Sequence, residues 1–308
     1  MRILEPARLI NQGSYIRLFD PWKNSLCTCP LKYSFSPYTG CGHRCLYCYA
    51  TSYIKDHYNP RPKREVLKVL RRDLGKINKR IIVSISNSSD PYTPPEEKMG
   101  ITREALELFA KNKVKVLIIT KSDVVVRDLD ILSLTPSAVT MTITTLDDSV
   151  TRRLEPYAPS PDDRLHALSR VCSKVPCGVR IDPLIPGINW DPDMIKELVN
   201  KLARIGVKHV SSSTYKARHD SLARLVRSFP DKASMLKYLY LRQGERIGGS
   251  YYLPKNYRYK MLSFVCELTL RRGMSFSPCR EGFSSLLKAG SCDGSHLITQ
   301  HPSYKCEK

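Results

Sequence analysis

Residues 33–50 read YSFSPYTGCGHRCLYCYA, and within them Cys41, Cys45 and Cys48 are spaced C-x3-C-x2-C. Three thiolates can hold three irons of a cubane and leave the fourth iron open to an outside ligand. A structural zinc needs four ligands, and His43 is too constrained by its neighbours to be an easy fourth. A strand is expected at 32–36, so the cysteines fall in a loop just past it. That is where an α/β barrel gathers its chemistry.

Outward from this loop, apolar runs recur at intervals of roughly thirty residues, each followed by a helical pattern, as repeated βα units require. The runs at 81–85 (IIVSI), 114–120 (VKVLIIT), 138–144 (AVTMTIT), 178–182 (GVRID) and 207–211 (VKHVS) are apolar on both faces, which suits parallel strands covered on both sides. Amphipathic stretches at 64–77, 103–111, 162–171 and 192–205 lie between them; Val66, Leu67, Leu70, Leu74 and Ile77 keep helical spacing. Six such units predict an α/β fold, a partial (β/α)6 TIM-type barrel at 31–215. An N-terminal extension at 1–30 and a mixed, largely helical C-terminal tail at 216–308 flank it. The tail shows helical patterns at 221–227 and 258–271 and ends in a Cys- and Gly-rich segment.

The 308 residues carry 50 Lys and Arg against 29 Asp and Glu, a net charge of +21. An excess of that size attracts polyanions, so a nucleic acid is the expected partner, although a generally cationic surface gives the same count. No run approaches the ~20 apolar residues of a membrane span, and the first residues lack a signal-peptide pattern. A cytoplasmic protein with no membrane partner is expected. Eleven cysteines in that setting argue for metal ligation or catalysis over a disulfide framework. Cys172 and Cys177 leave the disulfide reading open.

The cysteine loop, with Tyr47 before its last cysteine, resembles the radical S-adenosylmethionine superfamily. The longer string at 33–50 is similar to spore photoproduct lyase and its lyase-like relatives, a likeness extending over roughly residues 31–215. The resemblance implies a [4Fe–4S] cluster on Cys41, Cys45 and Cys48. Its open iron would bind S-adenosyl-L-methionine, whose reductive cleavage yields a 5′-deoxyadenosyl radical. It also implies an electron donor such as ferredoxin or flavodoxin. Carried over residue by residue, it places Ser89 and Asp90, in SISNSSDPYTPPEE, beside the cofactor together with Lys121 in IITKSD and Thr142 or Thr144. Tyr47 belongs to the same cofactor-binding set. One position departs. The lyases carry a hydrogen-donating cysteine two residues before the matched serine, and here Asn87 stands there, which puts thymine-dimer splitting by that route in doubt. Arg180 and Asp182 on the fifth strand are either a buried pair or a substrate contact.

Cys27, Cys29, Cys279 and Cys292 lie outside the βα repeat and are expected to meet as a second metal site, an auxiliary iron–sulfur cluster or zinc. Residues 292–296 spell CDGSH, but the C-x-C pair that this motif needs upstream is missing, with Glu281 and Phe283 in its place. His166, on a helical face, reads as structural or solvated. Tyr251, Tyr252, Tyr257 and Tyr259 either stack on bases or pack over the barrel mouth. The reading is thus a radical S-adenosylmethionine enzyme, lyase-like or nucleic-acid-modifying, acting on a DNA lesion, an RNA base or another anionic substrate. Radical modification of a protein or small molecule is one alternative. A non-enzymatic nucleic-acid-binding protein with structural zinc is the other.

Overall fold

The computed structural model describes residues 13–19 and 26–304. Eight strands form one sheet: β1 Arg17–Phe19, β2 Lys32–Phe35, β3 Val83–Ile85, β4 Val116–Thr120, β5 Ser137–Thr142, β6 Cys177–Leu184, β7 His209–Thr214 and β8 Ser275–Pro278. They lie side by side in chain order. β1 pairs antiparallel with β2, and every later pairing is parallel. The two ends of the sheet do not pair with each other, so the barrel is open.

Six longer helices carry most of the returns from one strand end to the next strand start, and the turn from β4 to β5 uses only a 3-10 segment and the short helix Leu129–Leu132. The six are α1 Val66–Leu74, α2 Ile101–Lys111, α3 Pro161–Cys172, α4 Pro192–Ile205, α5 His219–Ser228 and α6 Lys255–Arg271. Local chemistry fixes their ends. The Ser160 hydroxyl accepts from Asp163 N while the Asp163 carboxylate reaches back, and Pro161 opens α3 where no amide partner is needed. Asp191 caps α4, and Gly206 closes it at φ 96°. Val66, Leu70 and Leu74 of α1 are buried against Val83 and Ile85 in the core between sheet and helices.

All six expected parallel strands are present, with edges displaced by a few residues. Ile81 and Val207 are buried core residues that precede their strands, so their apolar character extended the expected strand starts backward. The tail at 216–308 holds α5 and α6 as expected, and it also supplies a seventh parallel strand, β8, with Ser275 opposite His209 on β7. Its last segment fills the barrel interior. Ser211 and Ser277 donate to the Cys292 carbonyl at 3.0 and 2.7 Å, and Leu297 and Ile298 pack on Leu117 and Ala138. Gly294 is required there: its φ is 86°, and a Cβ would meet Thr140 Oγ1 at 3.0 Å. Cys172 and Cys177 form a disulfide between α3 and β6. Cys266 is buried on α6, and Cys306 lies outside the described residues.

Candidate active site

A cavity of about 590 Å³ opens at the C-terminal ends of the strands. The loop after β2 brings Cys41, Cys45 and Cys48 to it, and the loop after β3 brings Asn87, Ser89 and Asp90. Lys121 enters from the end of β4, Thr142 from β5, and Arg180 and Asp182 from β6. The expected site residues, which no single element could assemble, thus border one space, with Tyr47 on its wall.

The cysteine loop is held from several sides. Cys41 N donates to His57 O at 2.7 Å, Gly42 N to Thr93 Oγ1 at 2.8 Å, and Leu46 N to Leu154 O at 2.9 Å. Gly40 sits at φ 84° where a Cβ would lie 2.5 Å from the His57 carbonyl, so only glycine fits. From the tail, Arg224 on α5 donates to the Leu46 and Cys48 carbonyls, each at 3.1 Å, and is anchored by Asp220 at 3.0 Å. Burial raises the Cys41 and Cys48 thiols above their ordinary range and takes Cys45 up to about 12, so they stay protonated without a metal. Among the described residues no three His, Cys, Asp or Glu side chains stand as a ready-made site for one ion. A cubane does not require that, because its thiolates bind separate irons.

The neighbours of the loop have distinct tasks. The Asp90 carboxylate accepts from Tyr92 N at 2.9 Å, Thr120 Oγ1 at 2.6 Å and Lys121 N at 2.8 Å. Burial opposes its charge, yet His43 and these donors hold its pKa down at about 2. Ser89 Oγ is buried with no partner, an orphan that suits a bound polar molecule. The Lys121 ammonium lies 5.6 Å above the Tyr47 ring; burial would depress its pKa, but Cys45, Glu155 and Asp90 raise it. Tyr47 donates to Glu155, which also pairs with Arg164 at 2.6 Å, and that ion pair is wholly buried. Thr144, the alternative to Thr142, donates to Glu155 at 3.2 Å, while Thr142 faces the cavity.

Arg180 and Asp182 form an ion pair, and Ser213 Oγ donates to the Asp182 carboxylate. The Asn87 amide is occupied: its Nδ2 donates to Ser34 Oγ at 2.7 Å and its Oδ1 accepts from Ser84 at 3.2 Å. His43 turns Nδ1 to the Tyr157 carbonyl at 3.1 Å. His166 is exposed on α3, as the solvated alternative expected. Tyr252 is buried, Tyr251 and Tyr257 are half-buried, and Tyr259 is exposed over Phe283.

Three neighbours of the cysteine loop, His57 and the pair Glu155 and Arg164, were not legible in the sequence. His57 Nε2 lies 3.3 Å from Cys48 Sγ, and burial, with Arg224, lowers its pKa to about 4, so the ring is neutral at pH 7. Glu155 and Arg164 are brought under the loop only by the fold. Nothing in their spacing from the cysteines signals either role.

Residues 35–202 match the Radical SAM superfamily. An uncharacterized protein of Mycobacterium tuberculosis is 26% identical over 259 residues, 78% of this chain and 74% of that protein. An uncharacterized protein of Methanocaldococcus jannaschii is 33% identical over 165 residues, 51% of this chain and 62% of that one. Among solved structures, a spore photoproduct lyase point mutant aligns with a TM-score of 0.64 at 16% identity, covering 87% of this chain and 80% of that one. The lyase complexed with dinucleoside spore photoproduct aligns at 0.60 and 17% identity, over 79% and 75% of the two chains. At such identities the likeness is one of fold. Among the described residues no helix is long and apolar enough to cross a membrane. The superfamily match covers more than half of the 308 residues and contains the three-cysteine loop and part of its cavity wall, and on it the chain belongs to the Radical SAM superfamily of enzymes.

Proposed function

We propose that Cys41, Cys45 and Cys48 hold the [4Fe–4S] cluster that the family implies. Tyr47, Ser89, Asp90, Lys121 and Thr142 then bound the S-adenosyl-L-methionine pocket, and a nucleic acid, either a DNA lesion or an RNA base, or another anionic molecule is the substrate. The observation that carries this is the single cavity bordered by all three thiols, the orphaned Ser89 hydroxyl and the Lys121 ammonium. When bound, the cluster and S-adenosylmethionine supply reductive cleavage to a 5′-deoxyadenosyl radical.

The chain's own residues hold and exclude. Lys121 offers a cation to the methionyl carboxylate, and Ser89 a hydroxyl to a polar group of the cofactor. Asp90 keeps the ends of β3 and β4 together through Thr120 and Lys121 N. Arg224, Gly40 and Leu154 fix the loop, so the thiols need little reorganisation. Asn87, with its amide engaged on both sides, donates no hydrogen atom, so hydrogen return follows another route than in the lyases. An electron donor of the ferredoxin or flavodoxin kind completes the reading. The auxiliary iron–sulfur cluster or zinc at Cys27, Cys29, Cys279 and Cys292 is a separate part of it.

Net charge supports the nucleic-acid substrate, and a lyase of this fold has been solved with a dinucleoside spore photoproduct. The test is anaerobic reconstitution with iron and sulfide, then dithionite and labelled S-adenosylmethionine. Labelled 5′-deoxyadenosine should form with the wild-type chain and vanish in Cys45→Ala, together with the brown absorbance. A Cys45→Ala protein that keeps its full iron and its 5′-deoxyadenosine would overturn the ligand assignment.

A further inference from the structure

Four cysteines from the two ends of the chain meet beside the three-cysteine loop, and Cys27, Cys29 and Cys279 line the same cavity as its thiols. Cys27 and Cys29 precede β2, the first parallel strand, and Cys279 follows β8, the last one. Cys292 lies in the segment that fills the barrel. Cys29 Sγ and Cys292 Sγ are 3.3 Å apart, and Cys27 hydrogen-bonds Cys29. Cys279 lies close enough to feel the charges of Cys27 and Cys292. All four are free thiols. Buried cysteines are ordinarily small hydrophobes in an apolar core, and the surroundings here are not apolar. The buried Lys32 ammonium sits 3.8 Å from Cys29 Sγ and 2.5 Å from Asp293, and Arg180 hydrogen-bonds Cys279. Cations placed beside the thiols can balance the negative charge that metal-bound thiolates carry.

We propose that Cys27, Cys29, Cys279 and Cys292 bind a second thiolate-held group, an iron–sulfur cluster or zinc, that closes the seam between the two ends of the open barrel. Sequence neighbours of β2 and β8 become ligands of one group, so the gap that hydrogen bonding leaves is bridged by metal–sulfur bonds. Lys32 and Arg180 are positioning residues that offset part of the thiolate charge, and Asp293 holds Lys32 in place. No three of the thiols already stand at single-ion geometry, so binding draws Cys27 and Cys279 onto the Cys29–Cys292 pair by side-chain rotation. A loop of about 250 residues is closed this way, which removes entropy from the unfolded chain. The proposal rests on reading these cysteines as an auxiliary site and is independent of chemistry at Cys41, Cys45 and Cys48.

The test uses the full chain carrying C41A, C45A and C48A, reconstituted anaerobically with iron and sulfide or with zinc. It should retain one metal group, and adding C29A and C279A should reduce bound metal to background. Iron with visible absorbance identifies the cluster, and colourless stoichiometric zinc identifies the ion; either supports the site. Should the triple variant fail to fold, metal counting on the wild-type chain decides instead. Iron beyond a single cubane's about four per chain, or zinc alongside it, supports the site. A single four-iron complement with no zinc overturns it, as does a Cys29–Cys292 disulfide in anaerobic protein. Closure is read by limited proteolysis: C29A should speed cleavage within residues 279–304 several-fold, and an unchanged rate defeats the seam role. Loss of 5′-deoxyadenosine in C45A with this metal retained would show the two sites standing apart.

Discussion

Asp90 and Lys121 were expected to act alike, as polar groups reaching for a cofactor, and their surroundings assign them different tasks. Each Asp90 oxygen already accepts from neighbouring residues, whereas among the described residues no hydrogen bond or ion pair holds the Lys121 ammonium in place. A half-buried ammonium whose pKa is raised by Cys45, Glu155 and Asp90 remains charged at neutral pH, and in the proposed pocket it offers that charge to the methionyl carboxylate. Lys121→Ala should therefore weaken S-adenosylmethionine binding by ~1–3 kcal/mol, read by calorimetry on the reconstituted protein. Iron content should stay at the wild-type level, since Lys121 is no cluster ligand. Unchanged affinity would leave Lys121 as a balancing charge for Glu155. The type and order of these residues were legible from the strand ends where they fall. Which of them is already engaged was not, because that depends on Thr120 and Tyr92 arriving at the same carboxylate.

At the scale of elements, the loop and the helices beneath it depend on one buried ion pair. Glu155, just past the short helix Asp148–Leu154, meets Arg164 on α3 at 2.6 Å, and both side chains are almost wholly shielded from water. Tyr47 and Thr144 add donors to the carboxylate, and Arg164 also donates to the Thr142 carbonyl at 3.2 Å. Removing one partner of such a pair strands the other charge in a low-dielectric site, which typically costs ~3–5 kcal/mol. Glu155→Ala should lower unfolding stability by about that amount in urea and cost the cysteine loop its iron retention. A loss under ~1 kcal/mol would mean that water reaches Arg164. The six core strands were legible because parallel strands between two layers are apolar on both faces. β8 was not: SFSP is short and polar, and Ser277 faces the barrel interior, where it serves the Cys292 carbonyl. The role of α5 was hidden for a related reason. Its pattern shows a helix, but only the fold shows Arg224 gripping the Leu46 and Cys48 carbonyls.

For the whole molecule, the net charge of +21 and the cavity bear on the same question, namely what the enzyme acts on. Of the six cations on the cavity wall, Lys32 pairs with Asp293, Arg180 with Asp182 and Lys216 with Glu281, while Lys121, Arg218 and Arg280 have no ion pair among the described residues. These few side chains account for only a small part of the +21, so most of the excess charge lies outside the cavity. A nucleic acid lying there displaces condensed counterions, so log K should fall linearly with log salt by ~0.9 for each duplex phosphate contacted, or ~0.7 on a single strand. Contact with five phosphates gives a slope of about −4, and affinity then drops roughly 300-fold between 50 and 200 mM salt. Binding of duplex DNA, single-stranded DNA and tRNA should be measured by fluorescence anisotropy across that range on the reconstituted protein with S-adenosylmethionine present. The tightest of the three should also raise 5′-deoxyadenosine release. A slope near zero for all three would turn the assignment toward a protein or small-molecule substrate, and the charge would then be a general property of the surface. A steep slope without enhanced turnover would separate binding from chemistry, pointing to a nucleic acid that recruits the enzyme without being the molecule it changes.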